Sequence, residues 1–138
     1  MNDEEILKDR FKSAISSTIR TIAENPDLEI NFGSDKSKSD IYLNLPNLEN
    51  TKNYSDFIDY RANADSEALK LKYNNPNIYQ KNEPGGEIAR ELYKIAEKIR
   101  CEKIGSNKFK GIKLNLTQSY QNYLKNKNSD KMLERSDV

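Results

Sequence analysis

Apolar residues in this chain recur three and four positions apart, and that spacing limits the fold more than any other feature. Leu7, Phe11, Ala14, Ile15, Ile19 and Ile22 share one face of a helix running from about Asp3 to Glu24. Asn2 or Asp3 is suited to cap it, Glu4 and Glu5 suit the positive end of its dipole, and Asn25-Pro26 ends it. A second helix is predicted from about Tyr54 to Tyr73, where Phe57, Ile58, Arg61, Ala64, Ala68, Leu69 and Leu71 form a broad face of mostly small residues. Asn74-Asn75-Pro76 stops it. After an irregular piece, a third helix opens at Glu87. Ile88, Leu92, Ile95, Ala96 and Ile99 make its apolar stripe, expected to lie in the core, and Gly105 stands where a left-handed C-cap is wanted.

Between the first two helices the period changes to two. Leu28, Ile30 and Phe32 alternate with Glu29 and Asn31, and Ile41, Leu43 and Leu45 alternate with Tyr42 and Asn44. Two strands joined by a polar loop are predicted, a small β-hairpin. Beyond the third helix, Phe109, Ile112, Leu114 and Leu116 suit packing against the helices. Thr117 to Val138 is strongly polar and reads as a partial helix followed by a flexible tail. The fold class expected is therefore mainly α (α+β): three main helices, one two-stranded hairpin and a polar C-terminal tail. The domain division is 1–116 for a helical domain and 117–138 for the remainder.

Composition narrows the function. Hydrophobic residues are 35% of the chain and charged residues 33%, so only the clustered apolar groups can build a centre. With 23 basic and 22 acidic residues the net charge is +1, which gives no global field toward nucleic acid or an anionic membrane. A single cysteine, Cys101, and no histidine leave no internal disulfide, no familiar zinc ligand set and no histidine base. The acidic N-terminus lacks the apolar region of a signal peptide, and no stretch approaches the ~20 apolar residues of a membrane span. The chain reads as cytoplasmic.

Several short patterns resemble sites and are better explained as ordinary structure. Asp35, Ser37 and Ser39 in "DKSKS" match the D-x-S-x-S with which von Willebrand A domains present oxygen ligands to Mg²⁺. In those domains the Asp ends a buried apolar strand. Here it follows "NFGS" in a polar loop beside two lysines, so the match is taken as chance and no metal is assigned. Gly85-Gly86 precedes a helix without the Lys-Ser/Thr of a phosphate loop, which makes it a helix-entry turn. Cys101 lies near a helix C-terminus, the wrong end of the dipole for a thiolate, and reads as structural. Asp59, Arg61, Asp65 and Glu67 scatter around the second helix, leaving an i,i+4 pair between Arg61 and Asp65 rather than paired catalytic carboxylates. No catalytic or cofactor-binding set is evident.

A wider pattern carries more weight. Arg61, Ala64, Asp65, Ala68 and Leu69 form R-x-x-A-D-x-x-A-L. Ala89, Arg90, Tyr93, Glu97, Arg100, Glu102 and Gly105 form A-R-x-x-Y-x-x-x-E-x-x-R-x-E-x-x-G, and Gly111, Ile112, Asn115 and Leu116 form G-I-x-x-N-L. With the helix and strand from Phe11 to Gly33, this order resembles the N-terminal region of the CobT-type subunit of aerobic cobaltochelatase over about residues 10–116. The resemblance implies a non-catalytic part in ATP-dependent cobalt insertion into a corrin ring during cobalamin biosynthesis, within a ligase that forms nitrogen–metal bonds. It implies two partners, an AAA+ ATPase subunit and a large corrinoid-binding subunit. ATP, magnesium and cobalt are then used by the complex, with no cofactor in this chain. The family's acidic middle section and C-terminal von Willebrand A domain have no counterpart in these 138 residues. Arg90, Glu97 and Arg100, beside the apolar stripe of the third helix, are the expected partner-binding residues. The alternative is a small helical adaptor that has kept the fold and lost the chelatase role.

Overall fold

A computed structural model describes residues 2–33 and 41–136. Five helices and two short strands follow one another as α1 (Asp3–Ala23), β1 (Glu29–Phe32), β2 (Tyr42–Leu45), α2 (Tyr54–Tyr73), α3 (Pro76–Lys81), α4 (Glu87–Lys108) and α5 (Lys110–Ser136). The mainly helical class with a two-stranded sheet is as the sequence predicts. The "DKSKS" residues Asp35, Ser37 and Ser39 lie outside the described residues.

Caps set the ends of the first two long helices. The Asn2 side chain accepts from the Glu5 amide at 2.8 Å, and the chain leaves α1 through Glu24 in the left-handed region. Asn53 and Asp56 cap each other's backbone at the start of α2. At α4 the N-cap is Gly86 with φ 94°, a conformation that only glycine adopts without strain, which is the helix-entry turn read from Pro84-Gly85-Gly86.

Three expectations are corrected. The strands pair in parallel, Glu29 with Tyr42 through Phe32 with Leu45, and do not form a hairpin. Alternation is the same read in either direction, so period two fixes which residues face inward but not strand polarity. The parallel register still pairs like with like: Ile30 beside Leu43, and Asn31 donating to Asn44 at 3.1 Å. Gly105 is not a C-cap, because α4 continues through it to Lys108. A Cβ there would lie 2.3 Å from a Leu69 methyl, so this glycine lets α4 approach α2. Finally, the stripe Ile88, Leu92, Ile95 and Ile99 is exposed rather than core. The face α4 does bury carries Cys101, Glu102 and Gly105. Two helices also go beyond the sequence reading. The short α3 begins at Pro76, and the partial helix expected after Thr117 belongs to α5, which starts at Lys110.

α2 is the central helix, with α1, α4 and α5 all packed on it. Contacts of Phe11 with Phe57 and of Glu24 with Lys72 show that α1 runs parallel to it. Contacts of Ser55 with Asn122, Asp59 with Ser119 and Asp65 with Asn115 show that α5 runs antiparallel. A helix covered on several sides needs small residues for close approach, and α2 buries Ala62, Ala64, Ser66 and Ala68. Ile15, Ile19 and Ile22 of α1, together with Leu28, Leu43, Leu45, Leu48, Leu69, Ile112 and Leu116, complete the core.

Candidate functional site

Two of the sequence motifs meet at one cleft. After α4 ends, the single extended residue Phe109 (φ −129°, ψ 111°) turns the chain into α5. That bend sets Lys108, Lys110, Gly111, Ile112 and Asn115 against Ser17, Thr18, Thr21 and Ile22 of α1 and Arg61 and Asp65 of α2. The cleft holds ≈ 520 Å³ and is open to solvent, within the size range of ligand sites.

Its chemistry is cationic around one buried carboxyl. Asp65 is only 2% exposed and accepts a hydrogen bond from the Asn115 side-chain amide at 2.9 Å. Burial pushes its pKa up, against the opposing effects of that bond and of the Arg61 charge. Arg61 reaches Asp65 only through its charge and not as the i,i+4 ion pair expected from the sequence; the direct partner is Asn115. Lys108 and Lys110 bracket the bend, and Lys108 also stands 5.2 Å from the centre of the Tyr73 ring. The first amides of α5 have no partner within their own helix, which adds partial positive charge at the same wall. The Thr18 and Thr21 hydroxyls donate to the carbonyls of Ala14 and Ser17, so their lone pairs are what they offer the cleft. The groups able to meet a carboxylate or phosphate are therefore the Arg61, Lys108 and Lys110 side chains and the first amides of α5, not the two hydroxyls. Among the described residues no three cysteine, aspartate or glutamate side chains converge as metal ligands.

Arg90, Glu97 and Arg100 lie elsewhere and do not form one patch. Arg100 donates to the Tyr73 carbonyl at 2.7 Å and to Glu97 at 2.6 and 3.0 Å; Glu97 also accepts from Asn74 at 3.1 Å. These bonds hold α4 to the C-terminal end of α2 and keep the Glu97 carboxyl below its usual range. Arg90 sits two turns away, donating to the Pro84 carbonyl at 3.3 Å with Glu83 at 3.8 Å. The other motif positions also meet within the fold. Glu102 accepts from the Ser66 and Tyr120 hydroxyls, each at 2.7 Å, and Tyr93 donates to the Tyr79 carbonyl with the two rings stacked 4.5 Å apart. Cys101 is buried against Glu97, and burial raises its thiol pKa, consistent with a structural cysteine.

Sequence reasoning reached Arg61, Asp65, Gly111, Ile112 and Asn115 through the motifs, but not Ser17, Thr18, Thr21, Lys108 and Lys110. The available signal was a run of hydroxyls beside the apolar stripe of α1, together with lysines on either side of Phe109.

No helix among the described residues is long and apolar enough to cross a membrane. A sequence model of the family described as cobalamin biosynthesis protein CobT matches residues 6–138, carrying the resemblance past Leu116 through α5. No solved structure matches the chain.

Proposed function

We propose, from the premise that this chain belongs to the CobT family and acts in cobalamin biosynthesis, that it serves cobalt insertion as a non-catalytic docking domain of a cobaltochelatase. Its partners in this reading are an AAA+ ATPase subunit and a large corrinoid-binding chelatase subunit. The observation that supports docking over chemistry is the cleft: the Arg61/Asp65 and Gly111/Asn115 motif positions line it together with Lys108 and Lys110. Its one carboxyl, Asp65, is tied to Asn115 rather than poised beside a nucleophile. A cationic cleft open to solvent suits an acidic side chain or C-terminal segment of a partner subunit. Arg90, 60% exposed at its side chain, lies apart from the cleft beside Glu83, whereas Glu97 and Arg100 are engaged within the fold.

The test is binding of the full chain to each purified cognate subunit by surface plasmon resonance. Arg61→Gln combined with Lys110→Glu is expected to slow association at least several-fold, with most of the effect lost at high salt. Lys110→Glu puts a negative charge at a helix N-terminus and leaves the fold intact. Absence of binding by the folded wild-type chain to both subunits refutes the proposal.

A further inference from the structure

We propose that the exposed face of α4 pairs with the same face of a second copy of this chain, the two helices running antiparallel. Ile88, Leu92, Ile95 and Ile99 are 79, 62, 50 and 57% exposed, and they follow one another at intervals of four, three and four residues. That is the spacing of a two-heptad seam, with Ile88 and Ile95 at one core position and Leu92 and Ile99 at the other. Among the described residues no neighbouring element brings any of the four into the core cluster. Yet the helix is well anchored, by Arg100 on the Tyr73 carbonyl and by Tyr93 stacked on Tyr79.

The residues bordering the stripe identify the occupant. On one border stand Ala89 and Ala96, small enough for two helices to approach closely. On the other stand Glu91 and Lys98, seven residues apart and opposite in charge. In an antiparallel pair like borders face each other, so Glu91 of one copy meets Lys98 of the other, twice over. The core layers then become Leu92 against Ile95 and Ile88 against Ile99, each also formed twice by the two-fold axis. In a parallel pair the charged border would face the alanines and make no ion pair. The pattern is thus self-complementary in one orientation only, and an unrelated partner would have no need of that symmetry. The seam spans about 17 Å at ~1.5 Å per residue. Such a length falls short of a standard interface of ~1,600 Å², so pairing is expected to depend on concentration.

Sedimentation equilibrium of the full chain, from low micromolar to several hundred micromolar, tests this. Wild type is expected to shift from monomer to dimer, and Glu91→Lys and Lys98→Glu each to weaken the shift at least several-fold. An equimolar mixture of the two variants is expected to regain it, because each mixed pair restores both ion pairs. Lys98 is also 3.9 Å from Glu102, so Leu92→Lys, at an exposed position, provides a second probe if Lys98→Glu does not fold. It is expected to abolish the dimer and keep the far-ultraviolet spectrum. A wild-type chain that stays monomeric throughout overturns the proposal. So does a dimer that survives both Leu92→Lys and Glu91→Lys, or a mixture of folded variants no more dimeric than its components. A monomer whose α4 face binds a chelatase subunit instead, with that binding lost in Leu92→Lys, also overturns it.

Discussion

Replacing Gly105 by alanine probes how tightly α4 is seated on α2. A methyl group built there lies 2.3, 2.5 and 2.9 Å from the two methyls and the γ carbon of Leu69. Carbon atoms rest at ~3.5–4.0 Å, so one helix must move by about 1 Å or Leu69 must change rotamer. Leu69 is fully buried at the centre of the core and has nowhere to turn. Overpacking of this kind costs ~1–3 kcal/mol, while Gly→Ala inside a helix gains ~1 kcal/mol in propensity. With three atoms inside 3 Å the upper part of that range applies, and Gly105→Ala is expected to destabilise by ~1–2 kcal/mol net. Leu69→Ala alone should cost ~2–5 kcal/mol. In that background the added methyl enters vacated space, gaining its propensity and ~0.8 kcal/mol of burial, so Gly105→Ala should become stabilising. Urea denaturation followed by circular dichroism on the four proteins of the cycle gives the comparison. The packing argument is refuted if Gly105→Ala stabilises the wild-type background, or has the same effect in both.

Three further outcomes are expected. Arg100→Ala should lower stability by ~1–2 kcal/mol, since it removes charged hydrogen bonds to Glu97 and Tyr73 that are partly screened by solvent, whereas Arg90→Ala should stay within ~0.5 kcal/mol in thermal unfolding. Measured at low concentration, Leu92→Ala and Ile95→Ala should likewise stay within ~0.5 kcal/mol, while Ile19→Ala, fully buried in α1, should cost ~2–5 kcal/mol. The two shifted carboxyls act in opposite senses with pH. Glu97, whose pKa is lowered chiefly by Arg100, stabilises the fold above its unfolded pKa and loses this as pH falls through its folded value, so Glu97→Gln should remove that loss. Asp65, raised by burial, favours the fold in its protonated form and loses this as pH rises through its folded pKa. Urea midpoints of Asp65→Asn should therefore improve relative to wild type from acid toward neutral pH.

How much of this was legible depended on whether the deciding force was local. The limits of α1 and the end of α2 could be read because Asn2, Pro26 and Pro76 act within a few residues of where they stand, whereas the Asn53 cap of α2 was seen only in the structure. Strand polarity could not, because alternation is symmetric under reversal. The stripe of α4 was plain as a pattern, but periodicity says only that a face exists. Its buried face is made by a cysteine, a glutamate and a glycine, none of which stands out by hydropathy. Gly105 illustrates the ambiguity of glycine near a helix end, which serves equally to cap a helix or to admit a neighbour. α5 was underestimated because its length rests on polar residues and on docking against α2. In the cleft, Arg61, Asp65 and Asn115 were visible one motif at a time, while Lys108 and Lys110 join them only through the turn at Phe109.

Glu102 gives the three-helix junction a defined alignment. Its carboxylate, 6% exposed, takes one hydroxyl from α2 and one from α5. Sliding α4 along α2 by one turn, ~5.4 Å, would strand this group in an apolar interior without either donor. Aliphatic side chains at the same place would tolerate several offsets with similar energy. The acidic residue therefore works as a key that fits one setting, and a load applied to the exposed end of α4 is carried to α2 and α5 as a unit rather than relieved by slippage.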